Sequence, residues 1–350
     1  MSHPILLIRA DAGFEIGTGH VMRMIALAQA WKDSGGTAVF ACVEITNSLE
    51  RRLAEEGFLL EMIQAPAGSE DDLAVTRTLI AKYSGDSRVP VVLDGYNFDA
   101  AFQLGLKMSG CRVLAMDDYG HCDFYHADWI LNQNVAAHEQ QYAQRAPNSE
   151  LLLGTKFCLL RREFLKQRSW KRETSRDARK VLITLGGSDP LNATHRVIKA
   201  LVHLPLELKV VLGGDSPHIQ VIQQLAGESG GENAQMELVV NPGDMPALMM
   251  WADLAIAAGG STVWEMAFLG LPAIFLLLAE NQSANCDAVE AIGFGRVFRP
   301  RGETADFKQL ATILSNIRND PEQRHQLSVK CRQTVDGLGP HRVTKLLCQI

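Results

Sequence analysis

Short apolar runs bounded by glycine, proline or acidic residues alternate along this chain with longer stretches whose apolar positions recur at helical spacing. That alternation predicts parallel strands, each followed by a helix that covers the sheet. In the first half the predicted strands are ILLIRA (5–10), TAVFACV (37–43), FLLEMI (58–63), VVLD (91–94), RVLAMD (112–117) and WILN (129–132), with helical stretches between most of them. The pattern starts again at KVLITLGGSDP (180–190) and continues through LKVVLGGDSP (208–217), MELVV (236–240), DLAIAAGGST (253–262) and PAIFLLL (272–278). The expected fold class is α/β, with two doubly wound, Rossmann-like domains in series.

Charge marks the boundary between them. RREFLKQRSWKRETSRDARK (161–180) holds nine Lys/Arg against three Asp/Glu, a surplus of six, so the rest of the chain carries about −12 within a net −6. The expected division is an N-terminal domain at 1–160, a basic linker at 161–179, a C-terminal domain at 180–337 and a last amphipathic helix at 338–350 that packs back on the first domain. Three predicted strands of the second half end in Gly-Gly followed by Ser or Asp: Gly186-Gly187-Ser188, Gly213-Gly214-Asp215 and Gly259-Gly260-Ser261. At strand C-termini of such a fold, glycines allow close backbone approach and the next helix begins with unpaired N–H groups, an arrangement suited to a nucleotide diphosphate.

With 350 residues and 47% hydrophobic content, the chain can bury two cores. The net charge of −6 argues against a general nucleic-acid binder. MSHPILLIRAD lacks a basic leader, and the longest uncharged apolar run, LGLPAIFLLLA (269–279), is too short to cross a bilayer and contains a proline. Seven cysteines without a CxxC pair suggest reduced thiols in the cytoplasm. GHCDFYH (120–126) gathers His121, Cys122, Asp123 and His126, but without a second ligand cluster these read as loop and core residues, and no metal or other cofactor is expected. The expected partner is one small molecule, with no nucleic acid, membrane or obligate protein partner.

IGTGHVMRM (16–24) concentrates the candidate chemistry. Gly17-Thr18-Gly19 follows a strand and precedes the helical stretch HVMRMIALAQAWKD, yet Met22 takes the place of the third glycine of a dinucleotide fingerprint and no Walker A lysine follows. What remains is a flexible turn that delivers His20 into the first turn of a helix, where the helix N-terminus disfavours the cation and leaves a neutral imidazole able to take a proton. Asp11, at the end of the preceding strand, is the residue expected to orient that imidazole through its other nitrogen.

IRADAGFEIGTGHVMRMIALA, LDGYNFD, DDYGHCDFYHADWILNQN, LGGSDPLN and AAGGSTVWEMAFLGLPAIFLLLAENQ together resemble the UDP-sugar hydrolase of pseudaminic acid biosynthesis, which removes UDP from UDP-2,4-diacetamido-2,4,6-trideoxy-β-L-altropyranose. The resemblance runs to about residue 290. AGGSTxxE with a downstream NQ is shared more widely with the peptidoglycan-pathway glycosyltransferase that uses UDP-N-acetylglucosamine. Met24 stands where the family block often has cysteine, and Gly13 where serine is frequent. Both families imply two Rossmann-like domains facing across a cleft, the glycosyltransferase B-type architecture. The resemblance further implies that His20 activates water, that Gly17, Gly19 and Arg23 of the same block lie on the substrate side, that Tyr96 lies near the sugar, and that Glu265 and Asn281 belong to the nucleotide-sugar site.

Other residues join that site by position. Gly187, Ser188, Gly259, Gly260, Ser261 and Thr262 are expected at the diphosphate, Asn281 and Gln282 where a new helix begins, and Met245 in a uracil-side wall. Thr262-Val263-Trp264-Glu265 also reads as a capping box, in which Glu265 would serve the helix rather than the ribose. The expected reaction is metal-free hydrolysis of the UDP-sugar: His20 deprotonates water, which attacks the anomeric carbon with inversion. A glycosyltransferase on the same scaffold and a catalytically silent UDP-sugar-binding protein are the alternatives.

Overall fold

The computed structural model describes residues 4–84, 89–187, 189–228, 234–300 and 307–349. The chain forms two compact units, Met1–Arg162 with Gly337–Ile350, and Glu163–Asp336. The first contains β1 (Ile5–Ala10), α1 (Gly19–Asp33), β2 (Thr37–Cys42), α2 (Asn47–Glu56), β3 (Leu59–Met62), α3 (Glu70–Ser84), β4 (Val91–Asp94), α4 (Ala100–Lys107), β5 (Val113–Met116), β6 (Trp129–Asn132) and β7 (Glu150–Leu153). Its sheet has the order β3-β2-β1-β4-β5-β6-β7, and every pairing is parallel.

Both faces of this sheet are covered, which is why its central strands read as almost unbroken apolar runs. Leu6 and Ile8 of β1 point into a core shared with Met24, Leu27 and Trp31 of α1, while Leu7 points the other way towards Phe98, Phe102 and Leu79. On that second face Arg9, fully buried, donates to Asp72 of α3 at 3.0 and 2.9 Å and lies over the Phe98 ring at 5.0 Å from its centroid.

The short helix α5 (Arg162–Leu165) leads into the second unit, which contains β8 (Lys180–Thr184), α6 (Ala193–Leu201), β9 (Leu206–Leu212), α7 (Ile219–Glu228), β10 (Ala234–Val240), α8 (Met245–Trp251), β11 (Leu254–Ala258), α9 (Thr262–Phe268), β12 (Ala273–Leu276), α10 (Ser283–Ile292), β13 (Arg296–Phe298), α11 (Lys308–Arg318) and α12 (Pro321–Thr334). Its parallel sheet has the order β10-β9-β8-β11-β12-β13. The last helix, α13 (Gly339–Leu347), returns to the first unit, where Val343 and Leu347 enter the same core as α1.

Two strands depart from the sequence reading. β7 has four residues and β13 three, each at a sheet edge, so neither is long enough for an alternation to be counted. The stretch 161–179, expected as a linker, belongs to the second unit from Glu163 onward. Arginines tie it down there: Arg172 donates to the carbonyls of Met249, at 2.7 Å, and Ala252, and Arg332 donates to that of Trp170 at 2.6 Å. Arg172 thus satisfies carbonyl ends, while Lys166, Arg168, Lys171, Arg176 and Arg179 are exposed.

Candidate functional site

In the first unit the strand order reverses between β1 and β4, the place where an open parallel sheet forms its binding crevice. The chain leaving β1 makes a tight turn closed by reciprocal backbone bonds between Gly13 and Gly17, of 3.2 and 2.9 Å. Gly17 holds φ +75°, a left-handed conformation that glycine adopts without a Cβ penalty. The turn hands the chain to Thr18, and α1 starts at Gly19, so His20 sits in the first helical turn as expected.

Asp94, the last residue of β4 and paired in register with Ala10, meets His20 there. Its Oδ1 lies 2.7 Å from His20 Nδ1. The same carboxylate accepts from Arg23 Nε at 2.7 Å and Nη2 at 2.6 Å. Arg23 reaches across to Asp118 as well, at 2.8 and 3.0 Å, and Asp118 also accepts from Tyr96 Oη at 2.9 Å and Asn134 Nδ2 at 3.1 Å. The Tyr96 ring meets the His20 ring edge-on, with centroids 5.2 Å apart.

The protonation pattern follows from the charges. Burial alone would raise the Asp94 pKa, but Arg23 and His20 outweigh it and bring the carboxyl down to about 2, so Asp94 is ionised near neutrality. Arg23 can only donate, so at Nδ1 of His20 the short contact to Asp94 is the hydrogen bond, with Nδ1–H donating. In the neutral ring the lone pair then lies on Nε2. With the His20 side chain 14% exposed, this is a fixed tautomer at the edge of a buried ionic network.

Asp11 does not take the orienting role. Its Oδ1 accepts from the backbone N–H of Val43 at 2.6 Å and lies 2.7 Å from Arg9 Nη1, so it is directed to the β2 side of β1 and His20 to the β4 side. Arg23, expected to bind substrate, is 7% exposed and spends its guanidinium on Asp94 and Asp118; its role is to hold Asp94 in place. Tyr96, expected near the sugar, stands beside His20, anchored through Asp118. Gly19 is exposed at the mouth of the turn. The sequence reading passed over Asp94 and Asn134, although LDG and NQN stood among the quoted motifs.

The second unit also reverses its strand order, between β8 and β11. Gly187 follows β8, and Ser188 lies outside the described residues. A side chain at Gly213 would strike the Gly187 carbonyl, with a Cβ only 2.4 Å from its oxygen, so that glycine serves strand-end packing. The helix after β8 is already capped by an anion: buried Asp189 accepts from the N–H groups of Ala193 and Thr194, both at 2.9 Å, which removes those two donors from any phosphate. The turn after β11 differs. Gly259 and Gly260 lead to Ser261, the N-cap of α9, whose side chain makes no capping bond, and Thr262 is the first helical residue. Among the described residues nothing lies within 4 Å of a Cβ built on Gly260.

That register also settles the capping box. With Ser261 as N-cap, the third helical residue is Trp264 and Glu265 is the fourth, so Thr262 and Glu265 are one position out of phase with the motif. Asn281 and Gln282 lie in a 3-10 turn (Glu280–Gln282) after β12; Asn281 is exposed, while Gln282 Oε1 accepts from Leu278 N at 3.0 Å and so braces the strand exit. Met245 opens α8 behind its N-cap Asp244.

Residues 180–335 match the glycosyltransferase family 28 C-terminal domain. MurG of Acinetobacter baumannii has a similar structure, with a TM-score of 0.64 at 18% identity, covering 99% of this chain and 100% of that one. The fold is of the glycosyltransferase B type. Among curated relatives, the spore coat polysaccharide biosynthesis protein SpsG of Bacillus subtilis is 25% identical over 97% of this chain and 96% of its own length. The UDP-2,4-diacetamido-2,4,6-trideoxy-β-L-altropyranose hydrolase of Campylobacter jejuni is 24% identical over 80% of this chain and 91% of its own. Among the described residues no helix is long and apolar enough to cross a membrane.

The ionic network has a consequence for acid stability. A carboxyl whose folded pKa is depressed contributes stability that is fully present above its unfolded value and is lost as pH falls towards the folded one. For Asp94 that window runs from the ordinary 3.8 down to about 2. Its expected contribution is about 2 kcal/mol, and Asp118 is shifted in the same direction. Urea unfolding between pH 5 and pH 2 should show this loss, and the profile should flatten in Asp94→Asn; an unchanged slope in that variant would contradict the assignment.

Proposed function

We propose that the protein hydrolyses UDP-2,4-diacetamido-2,4,6-trideoxy-β-L-altropyranose to the free sugar and UDP. The observation that carries this reading is His20 with Nδ1 committed to ionised Asp94 at 2.7 Å and Nε2 left to accept a proton. Water gives its proton to Nε2 as its oxygen attacks the anomeric carbon; the bond from that carbon to the UDP oxygen breaks, and UDP leaves with the electron pair. A single displacement inverts the anomeric centre. Asp94 holds the imidazolium formed in this step, as the carboxylate does in a catalytic triad.

The second unit is the nucleotide side in this reading. Charge developing on the leaving diphosphate falls to the Gly259–Thr262 turn, because the helix after β8 already carries Asp189 on its first amides. Glu265 is assigned to the uridine ribose, whose adjacent hydroxyls suit a carboxylate acceptor. Asn281 is assigned to the sugar or a phosphate, and Met245 to the uracil side. Every step uses protein groups and water, and no metal is invoked.

A glycosyltransferase is the second reading, favoured by the family match over residues 180–335. Against it, the hydrolase relative aligns over 80% of the chain, which necessarily extends into the first unit, where His20 lies. Incubating the enzyme with the UDP-sugar in ¹⁸O-labelled water, with no acceptor added, separates the two. Hydrolysis at carbon releases UDP and puts the label on the sugar. Absence of UDP until an acceptor is supplied would establish the transferase, and label on phosphate would discard attack at carbon.

A further inference from the structure

Behind the Tyr96 ring lies a second group of titratable side chains that the hydrolysis does not use. Buried Asp117 accepts from the backbone N–H groups of Tyr119 and Gly120, both at 2.6 Å, and from the hydroxyls of Tyr125 and, at 3.3 Å, Tyr142. With so many donors its carboxyl remains ionised, and it lies 2.6 Å from His121 Nδ1. The other ring nitrogen, Nε2, is 3.2 Å from Cys122 Sγ. Gln103 Nε2 also donates to that sulfur at 3.3 Å, while the sulfur itself donates to Phe98 O at 3.5 Å, a carbonyl that also accepts from Gln103 at 3.1 Å.

The three side chains are therefore ordered carboxylate, imidazole, thiol. Burial works against the imidazolium of His121, yet the bonds to Asp117 and Cys122 push its pKa up to about 10. Cys111 and Cys331 likewise donate to backbone carbonyls but are buried, and burial pushes the thiols of Cys42 and Cys331 up to about 12. Cys122 is half-buried.

We propose that Cys122 is a peroxide-reactive thiol, activated by the Asp117–His121 pair, whose oxidation is transmitted to His20 through Tyr96. Cys122 gives its S–H proton to His121 and the sulfur attacks one peroxide oxygen, forming an S–O bond as the O–O bond breaks; the departing hydroxide takes that proton from His121 and leaves as water. Sulfur is oxidised by two electrons to the sulfenic acid and the peroxide is reduced. In this proposal the added oxygen crowds the 3.2 Å contact between the sulfur and His121 Nε2 and displaces the His121 ring. That ring packs edge-on against Tyr96 with centroids 5.5 Å apart, and Tyr96 in turn packs against His20 at 5.2 Å. The activity arm of the following test rests on the hydrolase reading, whereas the labelling arm is independent of it.

The test exposes the native full-length protein to hydrogen peroxide, traps sulfenic acid with dimedone and measures each cysteine by peptide mass spectrometry. Exposed Cys348 is the internal reference. Cys122 should be trapped at least about tenfold faster than Cys348, and His121→Gln should abolish the advantage while Cys348 is unchanged. Labelling of buried Cys42 and Cys111 reports whether His121→Gln has unfolded the unit, and the wild-type ratio decides the matter if it has. Equal rates at Cys122 and Cys348 in the wild type would overturn the proposal. UDP release should fall in step with Cys122 trapping and resist peroxide in Cys122→Ser. Trapping with no change in a measurable activity would overturn the coupling to His20, while absence of any hydrolysis would count against the hydrolase reading alone.

Discussion

Replacing His20 with alanine is expected to lower kcat for UDP release by about three orders of magnitude, within the range that a positioned general base supplies. On the proposed reading the nucleotide side in the second unit is untouched, so KM should move by no more than a few-fold, the pattern of a group that acts in the transition state and little in the ground state. Stability should hold to within about 1 kcal/mol, because removal of the partly exposed imidazole leaves Asp94 paired with Arg23. Steady-state kinetics with UDP detection, beside a urea melt, separates the outcomes. A kcat unchanged in a folded variant would remove His20 from the chemistry and, with it, the observation on which the function rests. A rise in KM alone would make His20 a binding residue and favour a silent binding protein over an enzyme.

Asp94→Asn carries the second large effect, and on two quantities at once. The amide is neutral and presents both a donor and an acceptor to Nδ1, so it no longer selects the tautomer with a free Nε2 and no longer holds the imidazolium. The comparable loss in a catalytic triad indicates a fall in kcat of about two to four orders of magnitude. Arg23, meanwhile, keeps Asp118 but loses the carboxylate that takes its Nε and Nη2. Breaking one side of a buried ion pair is expected to destabilise the unit by about 3–5 kcal/mol. Asp11→Asn is the informative control. It disturbs Arg9 and the backbone of Val43 without touching His20, so stability should fall while kcat of the folded fraction is retained. If Asp11→Asn lowered kcat as far as Asp94→Asn, the assignment of the orienting carboxylate would be wrong.

The contrast between those two aspartates shows where sequence reading reaches its limit. Asp11 is nine residues from His20 along the chain and Asp94 is seventy-four, so proximity in sequence favoured the wrong partner. Both lie beside the end of β1, but one faces β2 and the other belongs to β4. The choice depends on which strands flank β1, and strand order is set by long-range pairing that no local pattern encodes. Arg23 illustrates the same limit from the other direction. It stands one helical turn after His20, where a cation suggests an anionic ligand, and only the converging ends of β4 and β5 show that the anions are Asp94 and Asp118.

What sequence alone could establish were the features whose cause is local. A doubly wound α/β fold follows from apolar runs separated by amphipathic stretches, because a strand buried on both faces must be apolar throughout. ILLIRA, VVLD and WILN become strands over their whole predicted lengths, and the turn that places His20 at the start of α1 follows from Gly17 and its positive φ. Strand ends elsewhere shifted by a few residues, since fraying and edge position depend on neighbours. Only the tertiary structure could decide which carboxylate orients His20, that Arg23 turns inward, that Asp189 closes one helix N-terminus while Gly259–Thr262 leaves another uncapped, and that Asp117, His121 and Cys122 form one connected group. Each of these depends on side-chain direction at the meeting of separate elements, and charges buried there are fixed by partners that lie far away along the chain.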